Sequence, residues 1–96
     1  MLEETVARVF DVDLDLIYLP TRGRAKVAMA RQVAMYLAHV SCGLNLTEAG
    51  ELFGRDRTTA AHACHVVEAK RENADFDRAI QLLENVTKVL MYTPPQ

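Results

Sequence analysis

Residues 44–68 read LNLTEAGELFGRDRTTAAHACHVVE, and this stretch decides the fold. It holds two helical patterns on either side of a glycine. Asn45 followed by Glu48 is a capping box, in which the cap side chain and the glutamate three residues on satisfy each other's free amides. The box predicts a short helix through Leu52 or Phe53. Ala49 and Gly50 are small where a second helix has to approach closely, and Gly54 supplies the turn. Asp56 then caps a second helix running to about Arg71, with Ala60, Ala63, Cys64 and Val67 as its inner stripe. Thr58 and Thr59 fall in its first turn, where amides lack helical partners and point outward. Arg55, Asp56, Arg57, Thr58 and Thr59 thus stand side by side at a helix start, and all five can read bases or phosphates. The pattern is that of a helix-turn-helix.

Upstream, Arg24 to Val40 contains neither Gly nor Pro. Val27, Ala30, Val33 or Ala34, Leu37, and Val40 or Ser41 recur at helical spacing, which predicts the central packing helix. Arg31 and Gln32 fall on the side away from Val33 and Leu37, where residues are ordinarily at the surface. Gly43 is placed to end this helix in the left-handed conformation. Before it, Thr21-Arg22-Gly23-Arg24-Ala25-Lys26 is a basic loop. Such a run is either a plain solvated loop or an arm for phosphate or a narrow minor groove. Leu2 to Phe10 predicts a first helix with Leu2, Val6, Val9 and Phe10 on one face. Leu14 to Leu19 predicts a further helical turn, with a strand as the alternative, and Pro20 ends it. At the other end, Asp75 is expected to cap a last helix over about residues 75–91. Phe76, Ile80, Leu83, Val86 or Thr87, and Leu90 would form its inner face.

The whole chain has 96 residues, half of them apolar and a quarter charged, with no tryptophan. That length suits one domain with a modest core. The abundance of Ala, Val, Leu and Met favours helices packing on helices. The start of the sequence shows no secretory signal pattern, no stretch has the length of a membrane span, and two cysteines make no disulfide framework. A cytoplasmic, nucleoid-associated protein with no membrane partner is expected. The net charge of −2 is unevenly spread. Residues 1–15 carry five acidic side chains and one basic; residues 16–67 carry six basic and three acidic. Positive charge therefore gathers around the helix-turn-helix, and the acidic ends oppose indiscriminate phosphate binding.

Enzymatic chemistry finds no support. Phosphate-cradling glycine loops, a nucleophile elbow and the H-E-x-x-H pattern are all missing, so no nucleotide and no cofactor is expected. His62, Cys64 and His65 cluster on one helix, with Cys42 as a further candidate, but they lack the paired spacing of a zinc site, and no metal is expected. Cys64 and His65 are adjacent and so point about 100° apart, which disfavours a nucleophile–base pair.

Two segments carry a family resemblance. Ala30-Arg31-Gln32-Val33-Ala34-Met35-Tyr36-Leu37-Ala38 is close to A/P-R-Q-[IV]-A-M-Y-L-[AS]. Phe53-Gly54-Arg55-Asp56-Arg57-Thr58-Thr59-Ala60-Ala61-His62-Ala63 is close to F-G-G-R-D-H-T-T-V-x-H-A. Both resemble the C-terminal DNA-binding domain of the bacterial replication initiator DnaA, over about residues 4–71. The resemblance implies an all-α, compact bundle of about five to six helices with an embedded helix-turn-helix of the Trp-repressor-like kind. It implies that Arg55, Asp56, Arg57, Thr58 and Thr59 enter the major groove, with Leu46 and Thr47 beside them. Arg31 and Gln32 match phosphate contacts, and either Arg22 or Arg24 matches a minor-groove arginine. Elementary chemistry agrees: Asp accepts from cytosine N4, Thr meets a thymine methyl, and Arg forks onto guanine.

Three departures stand out. Arg57 replaces a histidine, one glycine of a pair is missing before Arg55, and His65 and Val66 occupy positions where the family commonly has basic residues. The expected function is sequence-specific binding of double-stranded DNA at DnaA-box-like sites, modulating replication initiation or transcription, by a recognition module standing apart from its motor domain. The alternative is a protein-interaction decoy that engages the initiator DnaA or its regulators.

Overall fold

In the computed structural model, residues 2–10 and 25–91 are described, and every regular element among them is an α-helix. The helices are α1 (Leu2–Phe10), α2 (Ala25–Val40), α3 (Leu46–Glu51), α4 (Arg57–Lys70) and α5 (Ala74–Met91). The expected all-α bundle with an embedded helix-turn-helix is what forms, and α3 and α4 are that motif. The expected turn over Leu14–Leu19 and the arginines of the basic loop lie outside the described residues. No helix among the described residues is long and apolar enough to cross a membrane.

The central element is α2, which packs against α1, α3, α4 and α5. Val27, Ala30, Val33, Ala34 and Leu37 are buried, as their spacing predicts. Met35, Tyr36 and Ala38 are buried as well, because partners surround this helix instead of covering one side. The same crowding corrects the expectation for Arg31: it is only 6% exposed. An arginine can lay its aliphatic stem along apolar neighbours while its guanidinium keeps polar company.

The first helix buries Val6 and Ala7 and packs Phe10 against the core. Val9, expected on the inner face, is exposed; α1 leans on both α2 and α5, which turns Ala7 inward in its place. At the far end of α2, Gly43 takes φ 75°, a conformation that costs glycine little. Leu44 N then donates to Ala38 O at 3.1 Å, and the freed end of the helix is closed. His39 Nδ1 lies 2.7 Å from Leu44 O. The carbonyl can only accept, so that ring nitrogen carries the hydrogen.

The last helix buries Ile80, Leu83 and Thr87, the Thr87 hydroxyl donating to Leu83 O at 2.7 Å. Its cap is Asn73, not Asp75: Asn73 Oδ1 accepts from Phe76 N at 2.9 Å. Asp75 faces along the helix and pairs with Arg78 at 2.9 Å. What holds α5 down is Arg71, just past α4. Its Nε donates to Asp77 Oδ1 at 2.5 Å and its NH1 to the Tyr36 hydroxyl at 3.0 Å. Its NH2 lies 3.2 Å from Glu84 Oε1. One guanidinium therefore joins α2, α4 and α5, and the hydrogen bond to Asp77 is the chief reason its pKa is raised.

Candidate nucleic-acid interface

The site is assembled from two helix starts. At the first, the capping box forms in full: Asn45 Oδ1 accepts from Glu48 N at 2.8 Å, and Asn45 N donates to Glu48 Oε1 at 3.0 Å. Leu46, the first residue of α3, is partly buried against the core, and Thr47 beside it is exposed. At the second, Asp56 takes an extended conformation, and its Oδ1 accepts from Thr59 N at 2.8 Å. Arg57, Thr58 and Thr59 follow in the first turn of α4, all exposed.

The two starts are brought together by the turn. Phe53 is fully buried and anchors it. Gly54 takes φ 66°, and Arg55 N donates back to Gly50 O at 2.9 Å. Gly50 is where α3 meets the entry to α4. A Cβ built there would stand 2.6 Å from Asp56 O and 2.9 Å from Arg55 O. The small-residue expectation at Gly50 is thereby explained: backbone lies against backbone, and the turn closes tightly with a single glycine.

The electrostatics separate the roles of the charged residues. The Asp56 carboxylate is held below its ordinary pKa, first by the Thr59 amide and then by the Thr59 hydroxyl. It is a charged cap at the positive end of α4. Arg55 is half-buried, and its NH1 donates to Phe53 O at 2.6 Å, so its side chain folds back across the turn. Arg31 reaches the same region from α2. Its pKa is lowered by burial and then by the charge of Arg55. Arg31 on α2 and Arg55 in the turn thus gather positive charge in one region.

Of the expected site residues, Leu46, Thr47, Arg55, Asp56, Arg57, Thr58 and Thr59 meet at the α3–α4 corner, and Arg31 approaches it from beneath. Gln32 is half-buried on α2 next to Arg31. Arg22 and Arg24 lie outside the described residues. An open cavity of about 260 Å³ sits beside this corner, between the end of α2, Leu46 and the middle of α4. His39, Cys64, His65 and Glu68 are among its lining residues. Burial is the first cause that pushes the Cys64 thiol up, so it remains a thiol at neutral pH. No group of three or more ligating side chains suited to a metal occurs among the described residues.

The family model described as "Bacterial dnaA protein helix-turn-helix" matches residues 1–67, which include α1 to α3 and most of α4. The chain belongs to the DnaA C-terminal helix-turn-helix family. This is a DNA-binding family and not an enzymatic one. Among curated proteins, the chain is similar to the chromosomal replication initiator protein DnaA of Leptothrix cholodnii, 36% identical over 89 residues. That alignment covers 91% of this chain and 17% of the relative. The DnaA of Bordetella pertussis is likewise 36% identical over 89 residues, covering 91% of this chain and 19% of that protein. The DnaA of Herminiimonas arsenicoxydans is 37% identical over the same length and shares. The chain therefore spans less than a fifth of the length of the DnaA relatives it matches. An alignment covering 91% of the chain takes in most of α5 as well, beyond the span of the family model.

Proposed function

We propose that this chain binds double-stranded DNA in a sequence-specific manner at sites related to the DnaA box, with α4 in the major groove. One observation supports this most: Asp56, Arg57, Thr58 and Thr59 are exposed together at a helix start that the turn and Gly50 hold rigidly against α3. Exposed polar side chains on a fixed helix start suit base reading, because the geometry is paid for before DNA arrives. Leu46 and Thr47, at the start of α3, are the further base-facing residues of this reading. Arg31 and Gln32 serve phosphates, Arg55 stands with the start of α4 at the major groove, and Arg22 or Arg24 serves the minor groove.

Arg57 sets the preference of this chain, since a guanidinium forks onto guanine N7 and O6. The preferred site is then a variant of the DnaA box with a guanine opposite Arg57. In the cell, occupation of such sites modulates replication initiation or transcription by competing with other proteins for them, and places the chain at the nucleoid. The test is fluorescence anisotropy with a DnaA-box duplex and a scrambled duplex across a salt series. Tighter binding to the box duplex at every salt is expected. Equal binding to both duplexes throughout removes the sequence-specific reading.

A further inference from the structure

Thr58, His62 and His65 follow one another along α4 at spacings of four and three residues, and all three are exposed. Ala60, Ala63 and Val67 bury the opposite side. The helix face that continues from the first turn therefore carries two imidazoles and no carboxylate. Glu68 stands at its edge, three residues beyond His65. A helix seated in the major groove brings its flanking outward residues toward the phosphates of the groove walls. Histidine is the side chain that ordinarily changes charge between about pH 5 and pH 8, and a nearby anion favours its charged form.

We propose that His62 and His65 are further DNA-contacting residues that meet backbone phosphate only when protonated, so that DNA binding by this chain tightens as pH falls. The inference rests on the DNA-binding reading above and assigns a regulation to that same surface. The cavity lining defines the groups around His65, and the sequence of α4 defines those nearest His62 along its own helix. Beside His65 in the cavity are His39 from α2, Cys64 and Glu68 from α4, and the apolar Leu46 from α3. His39 is engaged with Leu44 O, and Cys64 is a neutral thiol across this range. That leaves the Glu68 carboxylate as the charge next to His65. With His65 neutral, this end of the face opposes phosphate; with His65 protonated, the two charges cancel. His62 has Thr58, Thr59, His65 and Val66 as its helix neighbours three and four residues away, none of them acidic. A proton on His62 therefore adds a cation with nothing on the helix to neutralise it.

The experiment measures affinity for the DnaA-box duplex at about pH 6, 7 and 8 across a salt series, a range in which histidine is the titrating side chain. It uses the full chain and the variants His62→Gln, His65→Gln, the double variant and His39→Gln, with helical content of each checked by circular dichroism. The unsubstituted chain is expected to bind several-fold more tightly at the acidic end. Its salt slope should steepen there by about 0.9 for each additional phosphate neutralised. Each single variant should lose part of this pH dependence and the double variant all of it, while His39→Gln keeps it. A flat pH profile in the unsubstituted chain overturns the proposal, as does a double variant that still titrates or a His39→Gln variant that no longer does. Binding at pH 8 with a flat profile leaves the DNA reading intact and removes only the histidines. Absence of binding at every pH removes both.

Discussion

At the scale of single residues, Asp56 has two uses for one carboxylate. It closes the first turn of α4, and in the proposed complex it also faces a base. The structural use is visible in the Thr59 amide and hydroxyl that lower its pKa. A carboxylate whose folded pKa lies below its unfolded value near 3.9 contributes stability above that value, and loses it as pH falls through the lowered one. Asp56→Ala should therefore melt at a lower temperature than the unsubstituted chain near neutral pH, and the gap should close below about pH 4. Melting curves followed by circular dichroism across that range test it, and a gap unchanged by acid would remove the charged cap. Arg57 is the complementary case, with an exposed side chain and a role only in the complex. Arg57→Ala should weaken binding to the preferred duplex by about 1–3 kcal/mol and relax discrimination at one base position. A panel of duplexes varied one base pair at a time reads both effects. Asp56 and Arg57 were legible in the sequence because a cap and an exposed first turn are defined within four residues of chain. The burial of Arg31 was not, because a lone arginine on a helix looks like any surface cation until its neighbours from other helices are known.

At the scale of elements, the meeting of α3 and α4 turns on Gly50. The atoms that a side chain there would strike are main-chain oxygens, which have no rotamer to escape into. Gly50→Ala should cost about 1–3 kcal/mol, the usual range for overpacking a filled contact. It should also weaken DNA binding more than that loss of stability explains, because the start of α4 must move away from Leu46 and Thr47. Urea denaturation and anisotropy on the same sample separate the two effects, and a variant with unchanged affinity would show that the turn is not held as tightly as its contacts indicate. Small residues at 49 and 50 pointed to close packing, and the turn glycine at 54 was equally readable. The start of α5 was harder. Asn73 and Asp75 both suit a helix cap, and the sequence does not say which side chain turns toward the free amides. Asn73 is the cap because Arg71 draws the beginning of α5 toward the end of α4, and Asp75 is left to pair with Arg78.

At the scale of the whole molecule, Arg71 is the residue that makes α5 part of the bundle. It reaches the Tyr36 hydroxyl on the central helix and two carboxylates on α5. Arg71 and its two carboxylate partners are largely sheltered, with side-chain exposures of 23–30%. Arg71→Ala removes the shared donor and leaves Asp77 and Glu84 facing each other's charge. A loss of about 2 kcal/mol is expected, in line with hydrogen bonds to charged groups. Hydrogen exchange should locate the loss chiefly in the amides of α5, and uniform loosening of every helix would contradict this placement. Arg71→Lys should recover only part of the loss, since an ammonium cannot offer a planar fork in three directions. DNA affinity should survive wherever the variant remains folded, because the α3–α4 corner does not use Arg71.

The sequence by itself determined what depends on neighbours along the chain. The capping box at Asn45, the Asp56 cap, the glycine turns, the apolar spacing of α2 and the exposed cluster from Asp56 to Thr59 all rest on partners a few residues away. Only the tertiary structure decided which residues meet across helices. It sheltered Arg31 on α2 near Arg55, turned Val9 outward and Ala7 inward, set Gly50 against the backbone of the turn, and gathered Tyr36, Asp77 and Glu84 around Arg71. The division has one physical cause: hydrogen bonds at helix ends are local, whereas burial and ion pairing depend on which side of each helix its neighbours occupy.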